Sequence, residues 1–386
     1  MELAEFSQSQ RKYLRKSLQG HRTFVPPPAP RSVEFDAEIV AALSDADRAL
    51  GELSGVGKRV RNSAMLVRPY LHREAVLSSR IEGTQSSLSD LLLFEADATT
   101  SRPEDAREVL NYVRALEWGV SQLPKLPLSL RLIRGLHGLL LKGVRGEDST
   151  PGEFRTSQNW IGPRGTPIER AIFVPPPPEH LRDLLDNWEK FVHEEDGLPP
   201  LIKCAFLHYQ FETIHPFTDG NGRVGRLLMP LFLIDRRCLS KPLLYLSAYF
   251  EKNRTAYYDS LSEGRHSGDL RPWLRLFLRA VATQSRDAAA RADLLSAYQD
   301  EVREAMSSSR SAVVHRLIDA LFTNLFVVAT REAKRQRVTY AAAQTAIDVL
   351  TEAGVLMEMT GKSYGKVYSS KRLLDIVDRA APAPQT

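Results

Sequence analysis

Apolar positions recur with helical spacing along most of the chain. Between residues 32 and 123 they fall at Ile39, Leu43 and Leu50, at Leu66, Tyr70 and Leu77, and at Val109, Val113 and Leu116, the step that turns one helix face toward a core. This stretch is expected to be all-helical, and a further helix is expected over residues 129–144. The pattern then breaks. Residues 151–178 mix turn formers with two short β-prone runs on either side of Gly162-Pro-Arg-Gly165, which predicts a small hairpin between Thr156 and Val174. Its edge strand is either an ordinary surface edge or one that pairs with an extended peptide.

Beyond Pro199 and Pro200 the helical step returns. Residues 201–213 turn Ile202, Ala205, Phe206 and Tyr209 inward, and residues 224–239 carry Leu227, Leu228, Leu231, Phe232 and Ile234, so two buried helices flank one loop. Helices are also expected at 249–262 and 273–278, followed by a polar, Ala-rich helical connector at 284–306. Serines at 307–309 mark a boundary. From Ser311 the order is helix (313–322), short basic helix (330–336), longer helix (340–353), then short strands at 355–359 and 366–369 around Thr360-Gly-Lys-Ser363. That order resembles a winged helix-turn-helix. At the other end, residues 1–31 are polar and then proline-rich, from Phe24 through Pro30, which favours an extended, polyproline-like arm along the surface.

Composition narrows the picture modestly. The 386 residues are 43% hydrophobic with a formal net charge of +5, enough for more than one core and compatible with a phosphorylated or polyanionic partner. Cys204 and Cys238 give neither a disulfide framework nor a metal spacing, as in a reducing compartment. The first residues hold no signal-peptide core, and the strongest apolar run, 227–234, is too short to cross a bilayer. A cytoplasmic protein without a membrane role is expected.

The chemistry concentrates in residues 215–226, His-Pro-Phe-Thr-Asp-Gly-Asn-Gly-Arg-Val-Gly-Arg. Gly220, Asn221 and Gly222 open a helix, and unpaired amides at a helix start favour an anion. Arg223 and Arg226 are spaced to clamp phosphate oxygens. Asp219 is a hard oxygen ligand suited to Mg²⁺, and His215 can take a proton near neutral pH. Together they form a phosphoryl or nucleotidyl transfer site in which positioning and charge carry the catalysis. Far upstream, Ser78-Ser-Arg-Ile-Glu-Gly83 ends a helical pattern with Gly83 as its C-cap. Glu82 then stands at the negative end of a helix dipole, so on its own it reads as a solvated carboxylate or one paired with an arginine.

Residues 215–226 resemble the signature of the Fic family, His-x-Phe-x-Asp/Glu-Gly-Asn-Gly-Arg-x-x-Arg, at His215, Phe217, Asp219, Gly220, Asn221, Gly222, Arg223 and Arg226. The resemblance implies a mainly α fold: a Fic-type helical core with a β-hairpin flap, a helical N-terminal region before it and the winged helix-turn-helix after it. It implies transfer of AMP from ATP to Ser, Thr or Tyr hydroxyls of a protein, with Mg²⁺ or alternatively Mn²⁺. His215 would be the base, Asp219 the metal ligand, and Asn221, the loop amides and both arginines the phosphate holders. Ser78, Glu82 and Gly83 are similar to the family's inhibitory motif, in which Glu82 would pair with Arg226 and turn ATP away. The hairpin is similar to the flap that docks a protein substrate.

Under that resemblance the chain divides into an arm and helical region with the inhibitory helix (1–123), a catalytic core (124–283), a connector (284–309) and the C-terminal unit (310–386). Tyr249, Asn253 and Tyr257 are candidates for the adenine and ribose pocket, with core packing as the alternative. Removal of AMP, with Glu82 orienting a water, competes with transfer. A DNA-binding regulator with a nucleotide-sensing core is a reading of another class. The C-terminal unit has a basic face at Arg331, Lys334, Arg335 and Arg337, but its second helix carries Gln344, Thr345 and Asp348 and no cation to read guanine. DNA, protein docking and homodimer formation stay open.

Overall fold

The computed structural model describes residues 1–59, 64–96, 100, 102–163 and 165–378. Arg164 of the expected hairpin turn and the last residues of the expected C-terminal unit lie outside them. After a 3-10 turn at Leu3–Glu5 come α1 (Gln8–Arg11) and an antiparallel pair, β1 (Leu14–Lys16) and β2 (Arg22–Phe24). The N-terminal helices are α2 (Ala37–Arg59), α3 (Ala64–Ile81), α4 (Leu88–Glu95) and α5 (Pro103–Gln122). Next are α6 (Leu130–Leu140), α7 (Leu181–His193), α8 (Pro200–Ile214), α9 (Asn221–Asp235), α10 (Ser247–Lys252), α11 (Arg254–His266) and α12 (Arg271–Ala305). The chain closes with α13 (Ala312–Asn324), α14 (Ala329–Gln336), α15 (Tyr340–Glu352), β3 (Met357–Glu358), β4 (Tyr368–Ser369) and α16 (Lys371–Asp378).

The fold is mainly helical, and α8 is its axis. Pro200 opens α8, where a missing N–H costs nothing, and every later residue of the helix is buried, as a helix apolar on all sides requires. Its neighbours tie in by buried donors: Trp188 Nε1 on α7 to Leu207 O at 3.0 Å and Trp273 Nε1 on α12 to Ala205 O at 2.8 Å. These contacts fix where α8 delivers its C-terminus.

Several sequence expectations are corrected. The connector expected over 284–309 is the second half of one helix, α12, which has no glycine and no proline after Pro272 to stop it. It packs along α2, with Arg275–Asp36 at 2.7 Å and Arg279–Glu38 at 2.8 Å. The helix expected at 249–262 breaks at Asn253 (φ −113°, ψ 39°), whose backbone N–H and Nδ2 both donate to Tyr249 O, at 3.0 and 2.8 Å, capping the first segment. The N-terminal arm is extended only after Phe24. Before it, Phe6 and Phe24, each 1% exposed, bury themselves with Phe173 in a small separate cluster, a demand that the proline signal masked.

Among the described residues, the segment between Thr156 and Val174 is not a two-stranded ladder. It closes on the single antiparallel bridge Ile161–Phe173, with Ile161 N–H donating to Phe173 O at 2.8 Å. Pro163, Pro167 and Pro175 lack the donors that would lengthen it, and a 3-10 turn fills Ile168–Arg170. On its other side, Phe24 N–H donates to Val174 O at 3.1 Å, so β2 covers that edge.

The C-terminal unit has the expected order of helices and strands, plus α16 and a bridge from Val327 to Tyr368. It is not set apart by a linker: residues of α13, α15 and α16 belong to the same apolar core as α3 and α12. Arg68 on α3 donates to Asn324 Oδ1 at 2.6 Å, and Arg291 on α12 to Val377 O at 3.1 Å.

Candidate active site

The junction of α8 and α9 assembles the groups that the sequence placed in one run. His215 ends α8 in the left-handed region (φ 50°, ψ 61°), a conformation that histidine adopts more readily than most residues and that the surroundings must enforce. Arg155 enforces it: its Nε donates to His215 O at 2.9 Å and its backbone N–H to Pro216 O at 2.9 Å. His215 Nδ1 faces Glu212 O at 3.4 Å. A carbonyl can only accept, so the proton belongs on Nδ1 and the Nε2 lone pair is left as the base. Burial, aided by the charge of Arg155, pushes the imidazole down to about 3, so it is neutral at pH 7.

The loop is built to present amides. Gly220 sits at φ 77° as the N-cap of α9 without a side-chain cap bond, and the first helical bond is Val224 N–H to Gly220 O at 3.0 Å. Asn221 corrects an expectation. It is 2% exposed, its Oδ1 accepts from Phe217 N–H and its Nδ2 donates to Phe217 O, both at 2.8 Å. Both of its side-chain polar atoms thus bond the Phe217 backbone, and the side chain clamps the loop. His137 supports the same turn: Gly152 N–H donates to its Nδ1 at 2.8 Å, so Nε2–H donates to Asp219 O at 3.0 Å. Its ring stacks on Phe217 with centroids 3.8 Å apart. Asp219 keeps a carboxylate 43% exposed at the mouth, an oxygen donor open to a hard cation.

Arg226, 1% exposed, is held by Ser78 of α3 and by Glu82 just past its end. Its Nε donates to Ser78 Oγ at 2.8 Å, and its Nη2 to Ser78 O at 3.0 Å and to Glu82 Oε1 at 2.7 Å. Burial would raise the Glu82 carboxyl, but the Arg226 guanidinium outweighs it and holds the group below its ordinary range. The carboxylate also rests on the first turn of α9, because a Cβ at Gly222 would collide with Glu82 Oε1. A negative group there is favoured by the helix dipole and free amides. Gly83, at φ 94°, makes the turn that carries Glu82 there.

Of the pocket candidates, Tyr249 and Asn253 are half-buried and Tyr257 is a core residue. It is 1% exposed, stacked on Phe250 at 4.5 Å, and its OH donates to His208 Nε2 at 2.9 Å, since Nδ1 must donate to Gly225 O. Tyr258, 41% exposed, is the open aromatic on this helix, and the Glu82 charge adds to the burial that raises its hydroxyl. Arg155, His137, Thr84 and Glu108 escaped the sequence because each acts from an element distant in the chain. For His137 and Glu108 the only signal is polarity at positions that helical spacing turns inward, and Arg155 and Thr84, which lie outside the helices, have no such signal.

The buried titratable groups make acid behaviour predictable. Burial lowers His137 to about 4 and His208 and His215 to about 3, so their contribution is complete above pH ~6.5 and is lost as pH falls. Burial raises Glu74 and Glu212 to about 7, so theirs is complete below pH ~4.5 and is lost as pH rises toward 7. Between roughly pH 4.5 and 6.5 the two sets oppose each other, and below that window the histidines act together with the depressed carboxylates Glu82 and Glu95, whose contribution is also lost as pH falls. Thermal unfolding followed by circular dichroism is expected to show a shallow midpoint dependence from pH 6.5 to 4.5 and a steep fall below it.

Comparison with known proteins follows the same lines. Residues 40–121 match the Fic/DOC family N-terminal region and residues 127–233 the Fic/DOC family. The protein adenylyltransferase Fic of Drosophila persimilis is 31% identical over 175 residues, 45% of this chain and 31% of that protein. The one of Drosophila melanogaster is 29% identical over 244 residues, 62% of this chain and 45% of that protein. The chain thus spans less than half the length of these curated relatives. In fold it is similar to a Fic family protein from Desulfovibrio desulfuricans, with TM-score 0.58, 19% identity, 90% of this chain and 98% of that chain covered. Fic-1 from C. elegans matches with TM-score 0.50 and 22% identity, over 68% of this chain and 74% of that one.

Proposed function

We propose, from the matches of residues 40–121 and 127–233 to the Fic/DOC family, that this chain is a protein adenylyltransferase held inactive by its own Glu82. The observation that carries this is Arg226: a buried guanidinium on the anion-binding turn of α9, occupied by Glu82 at 2.7 Å, beside a histidine with a free Nε2. With Glu82 withdrawn, the amides of the first turn of α9, Arg223 and Arg226 receive the triphosphate of ATP. Asp219 would hold Mg²⁺, which would offset the charge of the phosphates.

His215 Nε2 then takes the proton of a Ser, Thr or Tyr hydroxyl. That oxygen forms a bond to the α-phosphorus, the bond to the leaving pyrophosphate breaks, and AMP stays on the protein. The target chain docks along the flap on the Ile161 side, since β2 already occupies the Val174 side. Residues 310–378 are read as a winged helix-turn-helix whose exposed α15 face offers Tyr340, Thr345 and Asp348 and no cation, a poorer fit to DNA than to a protein surface.

The deciding experiment incubates the Glu82→Gly variant with ATP labelled on the α- or on the γ-phosphate. Label entering protein only from the α-position, with pyrophosphate released, is expected. Entry from the γ-position would make the site a kinase instead. Hydrolytic removal of AMP, with Glu82 orienting a water, is the second reading of the same groups. It is read by whether wild type, and not Glu82→Gly, strips AMP from labelled protein.

A further inference from the structure

Two carboxylates from the N-terminal helices reach the motif arginines. Besides Glu82 on Arg226, Glu108 of α5, 4% exposed, meets Arg223. Its Oε2 accepts from Arg223 Nη1 at 3.3 Å and, at the same oxygen, from Thr84 Oγ1 at 3.1 Å. Its Oε1 lies 3.6 Å from Arg145 Nε. Arg223 is itself 1% exposed, with Nη2 3.7 Å from Asp219 Oδ1, and its Nε has no hydrogen-bond partner among the described residues.

Thr84, 4% exposed, stands two positions beyond Glu82 in one hydrogen-bonded turn. Glu82 N–H donates to Ser79 O at 3.1 Å, Gly83 N–H to Arg80 O at 3.0 Å, and Thr84 N–H to Ser79 O at 3.1 Å. The turn therefore moves as a piece, and whatever holds Thr84 also holds Glu82.

We propose that Glu108 is a positioning residue that fastens this turn through Thr84 while aiming Arg223 at the mouth of the site. The turn is then latched at two points: Glu82 on Arg226, and Thr84 on the carboxylate that orients Arg223. This rests on the assignment of Glu82 as the inhibitory group. When the turn leaves, Glu108 gives up the threonine hydroxyl and keeps the guanidinium, so Arg223 stays aimed toward Asp219 and the incoming phosphates. A hydrogen bond to a charged, buried acceptor is strong enough to matter.

Thr84→Val removes the hydroxyl with little change of shape. In the otherwise native full-length chain it is expected to raise self-labelling and tighten binding of a non-hydrolysable ATP analogue by about fivefold to tenfold. In the Glu82→Gly background, where the turn no longer carries the inhibitory carboxylate, the same substitution should change either by less than about twofold. Equal effects in both backgrounds, or none in either, would overturn the proposal. Glu108→Gln in the Glu82→Gly background is expected to raise KM for MgATP several-fold with kcat nearly constant; an equal loss of both would mark a merely structural role. Should Glu82→Gly neither label protein nor bind nucleotide, the functional assignment falls. Amide exchange across residues 79–84, which Thr84→Val is expected to speed, still decides whether the latch exists.

Discussion

Replacing Glu82 by glycine is expected to raise AMP transfer to protein on the order of a hundredfold. The pair it breaks joins a guanidinium 1% exposed to a carboxylate 32% exposed, at 2.7 Å. Stripping one partner from a fully buried pair leaves an uncompensated charge at a cost of about 3–5 kcal/mol, which an incoming phosphate relieves. Solvent reaching Glu82 reduces that figure, and roughly 2.7 kcal/mol corresponds to the hundredfold. Folding should suffer less, because Ser78 still accepts from Nε and Nη2 of Arg226. Initial labelling rates at matched ATP measure the ratio, and a ratio below about threefold would remove Glu82 from the control of the site.

The opposite effect is expected of His215→Ala in the activated background: a loss of about 10²–10⁴ in kcat with the KM for ATP little changed, the range of a lost general base. Substrate binding is spared because the phosphate-holding groups lie on α9, whereas His215 terminates α8. The pH profile separates this role from a structural one. With the imidazole pushed to about 3, it stays a competent base through neutral and mildly acidic pH. The acid limb of kcat/KM for the protein substrate, which reports the enzyme before that substrate binds, is therefore expected below the ordinary histidine range, and loss of Glu82 removes a charge that raises this group. A limb centred near pH 6.5 would show that His215 is solvated and free in the working enzyme.

The catalytic run was legible because its chemistry is local: base, carboxylate, amides and arginines lie within residues 215–226, and neighbours in sequence are neighbours at a helix junction. Glu82 was legible for a different reason. A carboxylate at the C-terminal end of a helix reads on its own as solvated or paired with some arginine, and it was the family resemblance that named Arg226. Arg155, His137 and Glu108 were not legible, since each reaches the site from an element whose placement depends on how α5, α6 and the flap pack on α8 and α9. Tyr257 and Asn221 misled for the same reason. An aromatic facing inward and a polar residue in a loop each have two outlets, and only packing selects the core for one and the loop backbone for the other. Helix α12 shows the limit of composition: its polar second half reads as a connector, yet it lies along α2 as one continuous rod.

Helix α3 has 18 residues, a span of about 27 Å, with Glu82 just past one end and Arg68 near the other, anchored to Asn324 of α13. α13 and α16 cover this helix and share its apolar core. The C-terminal unit is accordingly not a cassette that recombination can exchange freely. A graft that keeps residues 1–309 and brings in a foreign partner must also match the exposed flank of α3, or the helix bearing the gate loses its seat. Heredity should therefore treat the two as one: chimaeras that swap the unit alone are expected to yield deregulated proteins, and those that swap it together with residues 64–81 to restore control.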